Sequence, residues 1–449
     1  MARKMCGNQI RFGGLFVLLS LALLIAGLTA RACLGQAFSE VIPEVTSLGD
    51  IESPPWTPEN RNLAFGGSVS DWLQLDTPYT FAMLDFQNRQ GDKENFLLRR
   101  AQTQFAGPGV VFGAQFRPSA IIGRTNRENK FNYLGRFPAD FSGNTATDIR
   151  LLQANQGLTL QANSFTHAYI ETLYSDVFSF PAFNQGSFQV RQAYVVFGDL
   201  NRSPFYGFIG KKNISFGDFS TLSPFTQAIP WHYFAPLAEG AGIGFDNERI
   251  LMTLTAINGS RGIRVADSDR KGVINNFATN LLIRTPLSDS AHFNIGAGYL
   301  HGTIYDAGIA EHINPEIQGP INGAVNVHTH LQWNSWEFAG EYVQTLHAWP
   351  VTGSQVIAYR TEAAYQTVFW HRPMRYSFSW SDGRQGPVGS EFEFNQQLVL
   401  GSRYNLTRDI FVTAEYVRGR GFAPLINITT VSDRDVIQNS LVLGCVIAL

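Results

Sequence analysis

From Val325 to Tyr342 the chain alternates apolar and polar positions with a period of two. Val325, Val327, Thr329, Leu331 and Trp333 take turns with Asn326, His328, His330 and Gln332, and Asn334-Ser335 turns the chain back. That period predicts a β-hairpin. Pairing Trp333 with Trp336 sets Leu331 opposite Phe338, Thr329 opposite Gly340 and Val327 opposite Tyr342 on one face. Gln332 with Glu337, His330 with Ala339 and His328 with Glu341 fall on the other. An apolar face, a charged face and tryptophans at the turn predict a strand pair between hydrocarbon and water. An amphipathic hairpin of a soluble β-sandwich would show the same period, so the remaining chain has to discriminate.

Further candidate strands recur with turn chemistry between them. They run over Gly66–Leu75, Phe96–Phe105, Val110–Phe116, His167–Ser175, Gln189–Gly198, Phe205–Phe216, Gly240–Phe245, Ile250–Ile257, Asn276–Thr285 and Phe293–Tyr305. After the hairpin come Val356–Trp370, Arg375–Trp380, Phe394–Asn405, Ile410–Arg418 and Val436–Leu449. Residues 126–163 are the least legible and have room for one or two more. Connections alternate in length: 406–409, 371–374, 334–335, 286–291 and 246–248 are short, whereas 419–435, 381–393, 347–355, 306–324 and 258–275 are long. Sorted turns of this kind are expected of outer-membrane barrels and not of sandwiches. The last strand places Leu441, Leu443, Cys445, Ile447 and Leu449 at every second position up to the terminus. Such barrels often end on an aromatic residue, and Leu449 departs from that habit.

The pattern therefore predicts an all-β fold: a closed antiparallel transmembrane barrel of about 16 strands (16–18) over residues 65–449. Residues 1–37 read as a signal peptide, with Arg3, Lys4 and Arg11 ahead of an apolar run from Leu15 to Leu28 and small residues at Gly35 and Ala37. Residues 38–64, acidic and carrying Pro43, Pro54, Pro55 and Pro58, read as a short periplasmic leader. No other stretch approaches the ~20 apolar residues that a membrane helix needs, so insertion is expected through strands. Removing the signal takes away four basic residues and no acids, leaving about −6 from 34 Lys+Arg and 36 Asp+Glu, which argues against a nucleic-acid partner. Cleavage also leaves Cys445 without an intramolecular partner. Cys33 as a lipidated N-terminus has a poor recognition box in Ala30-Arg31-Ala32. The 35 Phe and 15 Tyr suit a chain that shows aromatic surface to lipid.

The stretch from Gln192 to Gly217 resembles the strand-turn-strand of LbtU-type siderophore porins and, more loosely, the phosphate-selective porin O and P group. The matching positions are Ala193, Tyr194, Val195, Gly198, Leu200, Pro204, Phe205, Tyr206, Gly210, Lys211, Phe216 and Gly217, with Ser215 where proline is usual. Arg99-Arg100-Ala101 within Phe96–Gly107 is similar to the early strand of the O and P group. The resemblance covers about 80 residues. It implies an outer-membrane porin for small solutes, with siderophore or sugar uptake as the specific expectation, no cofactor, and lipid and solute as partners. Porins of this kind are often homotrimers, and nothing in the sequence selects trimer over monomer. Members of the family often carry a coiled-coil leader before the barrel, and residues 38–64 do not show that pattern.

The residues carry their own reading. Tyr206, Phe208 and Ile214 would supply outward apolar surface, and Gly207, Gly210 and Gly217 would permit bends. The connection from Asp218 to Glu239 is long and aromatic, and a loop of this kind can fold into a lumen and set its narrowest point. Its constriction candidates are Asp218, Phe219, Phe225, Trp231, His232, Tyr233, Phe234 and Glu239. It has no Lys or Arg, which disfavours a phosphate filter, while its aromatic faces suit stacking on sugars or catecholate-like ligands. The same aromatics would equally serve to pack the loop on the wall. His328, His330, Glu337 and Glu341 converge on the lumen face; two imidazoles and two carboxylates could bind a metal, yet a solvated polar wall is the simpler reading and no metal site is assigned. Arg360, Glu362, Arg403 and Glu415 are further pore-lining candidates that would tune ion preference. Gly240-Ala241-Gly242-Ile243-Gly244 lacks the following helix of a nucleotide loop and reads as a strand needing little bulk. No Gly-x-Ser-x-Gly, His-Glu-x-x-His or Cys-x-x-Cys occurs, so no catalytic residue is assigned. A barrel enzyme of lipase or protease type and a secreted β-sandwich binding protein are the alternatives in other classes.

Overall fold

The computed structural model describes residues 73–88, 93–103, 108–128, 143–175, 187–266, 273–306, 320–390, 392–393, 395–421 and 435–449. The expected signal peptide (1–37), leader (38–64) and Cys33 lie outside them. The strands are β1 (Leu73–Leu75), β2 (Gly109–Thr125), β3 (Thr145–Gln161), β4 (Thr166–Ser175), β5 (Ser187–Gly198), β6 (Phe205–Asn213), β7 (Leu237–Asp246), β8 (Ile250–Ile263) and β9 (Ile274–Ser288). They continue with β10 (Ala291–Leu300), β11 (Ala324–Trp333), β12 (Trp336–Thr345), β13 (Ile357–Phe369), β14 (Arg372–Arg384), β15 (Asn395–Asn405), β16 (Ile410–Gly421) and β17 (Ile437–Ala448). Among the described residues three α-helices interrupt them, α1 (Thr77–Leu84), α2 (Lys93–Thr103) and α3 (Ile229–Phe234), with a short 3-10 turn at Ile304–Asp306.

Strands β2 to β17 form a sixteen-stranded antiparallel meander in which each pairs with its sequence neighbours. β17 returns to β2, with Leu441 opposite Ile122, and closes the barrel. Closure leaves no edge strand among β2 to β17, the condition for strands to exist in hydrocarbon. Two-residue turns at 289–290, 334–335 and 370–371 mark one end, and the long connections mark the other. The hairpin β11–β12 has the register its alternation predicts, from Trp333 opposite Trp336 to His328 opposite Glu341. Its outward set includes Val327, Trp333, Trp336 and Phe338, all exposed, while Asn326, His328 and Glu341 are buried inside. Outward positions elsewhere are likewise apolar, with Phe205, Ile209, Ile243, Ile122, Leu443 and Leu400 all exposed.

Three expectations need correction. The residues 96–105 are not a strand: α2 spans Lys93–Thr103, and the O and P resemblance at Arg99-Arg100-Ala101 therefore falls on a helix. Lys93, Glu94, Asn95, Leu97 and Leu98 are buried; Leu97 and Leu98 lie one turn beyond Lys93 and Glu94, a helical spacing and not an alternating one. Of the strand expected over 66–75, residues 66–72 lie outside the described ones, and Leu73–Leu75 is a strand lying parallel to β2. It continues the wall where β17 stops, because Leu449 already exchanges both backbone hydrogen bonds with Ala114, at 3.0 and 2.8 Å. Tyr206, Phe208 and Ile214 are turned inward and buried, while Phe205 and Ile209 take the lipid side. The illegible stretch 126–163 contains β3, and β2 runs on to Thr125, beyond the Phe116 at which the pattern ended.

The inward turn of Tyr206 and Phe208 follows from what fills the barrel. α1 and α2 lie against the inner wall at the short-turn end. Asp76 caps α1 by accepting from the Tyr79 amide at 3.0 Å, with Pro78 in the first turn. Tyr79, Met83, Leu84, Leu97 and Leu98 pack on the inward side chains Tyr169, Tyr194, Val196, Tyr206 and Phe208. Lys93 Nζ donates to the Ala82 carbonyl at 2.6 Å and links the two helices. Glu94 forms a buried ion pair with Lys212 of β6, and Arg99 donates to Asp246 of β7 at 2.8 Å. The Gly240-Ala-Gly-Ile-Gly244 run supplies the flat wall behind these rings: a Cβ at Gly242 would lie 2.5 Å from the Phe208 ring.

Gly113 faces Gly157 across β2 and β3, and a Cβ at Gly113 would sit 1.9 Å from the Thr80 hydroxyl. Gly113→Val should therefore displace α1 and open residues 77–103 to protease in the folded, detergent-solubilised barrel. The wall itself should keep its unboiled gel mobility. Unchanged protection of that segment would show that this contact does not seat the helix.

Candidate functional site

Beyond Asn213 the chain leaves β6, crosses the lumen as an irregular segment, forms α3 and rejoins the wall at β7. Gly210, still within β6 at φ +137°, is where β6 comes so close to β5 that a Cβ would lie 2.3 Å from the Ala193 carbonyl. Farther on, a Cβ at Gly217 would lie 2.3 Å from Asn326, so only glycine lets the segment pass that close to β11. Phe219, at φ 45°, is held in the left-handed region that a bulky residue seldom adopts.

An irregular segment buried in a barrel exposes backbone donors to no water, and each must find an acceptor. Carboxylates on the inner wall provide them, because an ionised carboxylate accepts several charge-assisted hydrogen bonds at once. Glu341 of β12 accepts from the amides of Asp218 and Phe219, both at 3.0 Å. Glu362 of β13 accepts from the Leu222 amide at 3.0 Å and the Thr221 hydroxyl at 2.5 Å. Glu415 of β16 accepts from the amides of Phe225 and Thr226 at 2.7 and 3.1 Å and from the Thr226 hydroxyl at 2.5 Å. Ser381 and Gln397 add contacts to the Ile229 amide and the Gln227 carbonyl. Following the segment, its points are thus fastened to β12, β13 and β16 and then, turning back, to β15 and β14.

Arg360 organises this set. Its guanidinium is fully buried, donates to Glu341 at 2.9 Å, and also pairs with Glu362 and Asp218. Burial of a cation among carboxylates is tolerable only when the partners surround it. For Asp218, burial opposes ionisation, but Arg360 beside it, aided by His328 and the Ser220 hydroxyl, holds the carboxyl below its usual range.

The loop has no cation of its own, and the wall supplies what it lacks. Arg117 of β2 lies 4.4 and 4.5 Å from the ring centroids of Phe86 and Phe225 and donates to the Phe225 carbonyl at 3.2 Å. Arg264, lowered by burial to about 10 and hence charged at neutral pH, donates to the His232 carbonyl at 2.6 Å and covers the Trp231 ring at 4.6 Å. The helical segment also docks here. Gln87 Nε2 donates to the Ser223 carbonyl at 2.9 Å, and the Gln87 carbonyl accepts from the Thr221 amide at 3.0 Å. The inserted loop and the helices form one continuous filling.

The constriction candidates separate by position. Phe219, Phe225, Tyr233 and Phe234 are buried packing groups, with Phe234 against Tyr305 at 5.3 Å between centroids. Burial drives the Tyr233 hydroxyl far above its ordinary value, so it stays neutral. Asp218, Trp231 and His232 are the partly exposed members. Glu239 is not on the loop at all: it is an exposed residue of β7, opposite Lys211 of β6.

The pore-lining candidates separate in the same way. Glu341, Arg360, Glu362 and Glu415 face inward but are covered by the segment they anchor, and His328 is buried with Nδ1 2.9 Å from Asn326. His330 reaches Glu337 at 2.8 Å, and Glu337 in turn pairs with Arg375 at 2.8 Å, with side chains 30%, 18% and 26% exposed. Arg403 stacks on Phe411 at 3.7 Å. Within the described residues no group of His, Cys, Asp or Glu is arranged to hold a metal.

Of the family-like positions, Ala193, Tyr194 and Val195 of β5 pair with Lys211, Gly210 and Ile209 of β6. Gly198 and Pro204 flank the short turn before Phe205 and Tyr206, and Phe216 and Gly217 begin the inserted segment. Sequence reasoning missed Arg117, Ser381, Gln397 and Arg264. Arg117 had a signal, since Gln115, Arg117 and Ser119 are polar at every second position of β2.

No family model matches the chain, and no curated protein matches it in sequence. Its fold is similar to solved outer-membrane proteins. The outer membrane channel DcaP of Acinetobacter baumannii aligns at TM-score 0.52 and 12% identity, over 77% of this chain and 98% of that one. An anion-selective porin from Comamonas acidovorans aligns at 0.50 and 11%, over 76% and 100%. OprB of Pseudomonas putida aligns at 0.50 and 9%, over 80% and 97%. At these identities the likeness is one of fold. A closed sixteen-stranded barrel with an apolar exterior of this kind is an outer-membrane protein.

Glu415→Ala would strip the acceptor from two buried amides and a hydroxyl, so the barrel should lose about 2–4 kcal/mol of stability, read as a lower urea midpoint for the unboiled gel form. Asp218 gives a pH signature. A carboxyl with a lowered folded value stabilises fully above its ordinary value of about 4, and that contribution fades as pH falls through the lowered value. The urea midpoint of the wild type should drop on acidification below about pH 4, and Asp218→Asn should flatten that part of the profile.

Proposed function

We propose that the chain is a passive outer-membrane porin whose lumen is narrowed by the segment between β6 and β7 and by the helices of residues 77–103. The observation that carries this reading is the fastening of the inserted backbone by Glu341, Glu362 and Glu415. A loop held at three wall strands is a permanent constriction, in the position where side chains decide what passes. Similarity in fold to channels and porins supports the same conclusion.

The water-facing groups at the narrowing are Asp218, His330, Glu337 and Arg375, which carry both signs. That mixture favours small polar solutes over a strongly anionic or cationic class. Sugar or siderophore uptake, implied by the resemblance of residues 192–217, would rest on Trp231 and His232, because the other loop aromatics are committed to packing. Uptake of this kind needs no cofactor and no energy input.

Purified protein should conduct ions in planar bilayers. Trp231→Ala should raise single-channel conductance by a fraction of its wild-type value, since the neighbouring backbone stays anchored, and should weaken block by added sugars. A wild-type barrel that inserts and never conducts would overturn the porin reading.

A further inference from the structure

The outer face of the barrel is apolar over most of its height, but at the long-loop end of β14 to β2 it changes character. Arg124 of β2, Asn439 of β17 and Arg418 of β16 are direct neighbours across three strands. Arg420, two residues beyond Arg418, stands opposite Gln396 of β15, and Arg384 ends β14 nearby. The four arginines are exposed. Strand parity puts Arg124, Arg418 and Arg420 on the lipid side, two residues from Ile122 and two and four from Tyr416, which are themselves exposed. The Tyr416 hydroxyl donates to Asn439 at 2.7 Å, so the polar row is tied together. Among the described residues Asp382 shares this face and accepts from the Tyr359 hydroxyl at 3.0 Å, and Asp435, exposed just ahead of β17, pairs with Arg127 at 3.6 Å.

Immediately below the row, toward the short-turn end, the same strands present Ile122, Leu441, Leu443, Val412, Leu400 and Phe378, all exposed. Arg124 and Arg418 are two strand spacings apart, about 10 Å between Cα atoms, and Arg418 and Arg420 are about 7 Å apart along one strand. Guanidinium side chains at these separations can converge on a single phosphate, whose oxygens match their forked donors. A cationic row directly above an apolar wall fits an amphiphile with an anionic head and hydrocarbon tails.

We infer that Arg124, Arg418 and Arg420 form a lipid seat that binds the phosphate-bearing headgroup of an amphiphile in the outer leaflet, with its acyl chains along the wall of β15 to β2. The seat rests on the outer-membrane placement of the barrel and is independent of conduction, so loss of one does not entail loss of the other. Its position on the exterior separates it from the constriction, and it would order lipid around one sector of the barrel.

The test compares lipid retention by wild type, by the triple variant Arg124→Gln, Arg418→Gln, Arg420→Gln, and by Arg372→Gln, an exposed arginine at the opposite end of β14. Each full-length protein, in detergent, is titrated with phosphorylated lipid A, with its dephosphorylated form and with inorganic phosphate, and bound lipid is counted by native mass spectrometry. The expected result is retention of phosphorylated lipid by wild type and Arg372→Gln, with at least about a tenfold weaker midpoint in the triple variant. Dephosphorylated lipid should bind weakly to all three, and millimolar phosphate should not displace the lipid. Unboiled gel mobility and bilayer conductance should match wild type in the triple variant, which separates loss of the seat from loss of the fold or the pore. Equal retention in wild type and triple variant, equal loss in Arg372→Gln, equal binding of dephosphorylated lipid, or displacement by phosphate alone would each overturn the proposal.

Discussion

Backbone amides that enter a barrel without forming a strand must be satisfied inside it, and that constraint shapes the lumen of this protein. The segment from Asp218 to Thr226 has no ladder of its own. Its donors go to Glu341, Glu362 and Glu415, which sit on β12, β13 and β16 at inward positions. Three buried carboxylates would be prohibitively costly alone. Arg360 neutralises part of that charge by pairing with two of them and with Asp218 of the loop, while the loop amides and hydroxyls supply hydrogen bonds to all three. Wall and loop are therefore interdependent: the wall charges are tolerable because the loop covers them, and the loop stays inside because the wall charges hold it.

The same economy governs the helical filling. α2 brings Glu94 to Lys212 and Arg99 to Asp246, so its polar groups meet complementary wall charges while Leu97 and Leu98 meet Tyr194, Tyr206 and Phe208. The interior of β4 to β7 is consequently aromatic, although the interior of a water-filled barrel is ordinarily polar. Arg117, between Phe86 and Phe225, joins the helical segment to the loop. What remains wet lies near β11, β12 and β14, where His330, Glu337 and Arg375 are only partly covered.

The outside obeys different physics. Its side chains need no partners in hydrocarbon, and they are chosen for apolar surface until the strands reach the level of the headgroups. Tryptophans gather at the short turns, where Trp370 and His371 both adopt positive φ and Trp370, stacked on Phe369 at 5.0 Å between centroids, is largely exposed. At the opposite end arginines take that level, on one sector of the wall.

Alternation along the chain determined which side of the hairpin strands from Val325 to Tyr342 meets lipid, the register of that hairpin and the closed barrel, because a period of two is a local property of a pleated chain. It also marked Asp218 onward as a long aromatic connection. What local pattern could not convey is what lies on the inner side of a strand. Tyr206 and Phe208 have the right character for lipid, and only the presence of α2 behind the wall turns them inward. Glu341, Glu362 and Glu415 read as solvated lumen charges, and only the path of a segment more than a hundred residues away in sequence converts them to buried anchors. Arg360 has its meaning only when β12, β13 and the loop meet at one point. Such roles come from contacts between distant parts of the chain, set by closure of the barrel around its own contents.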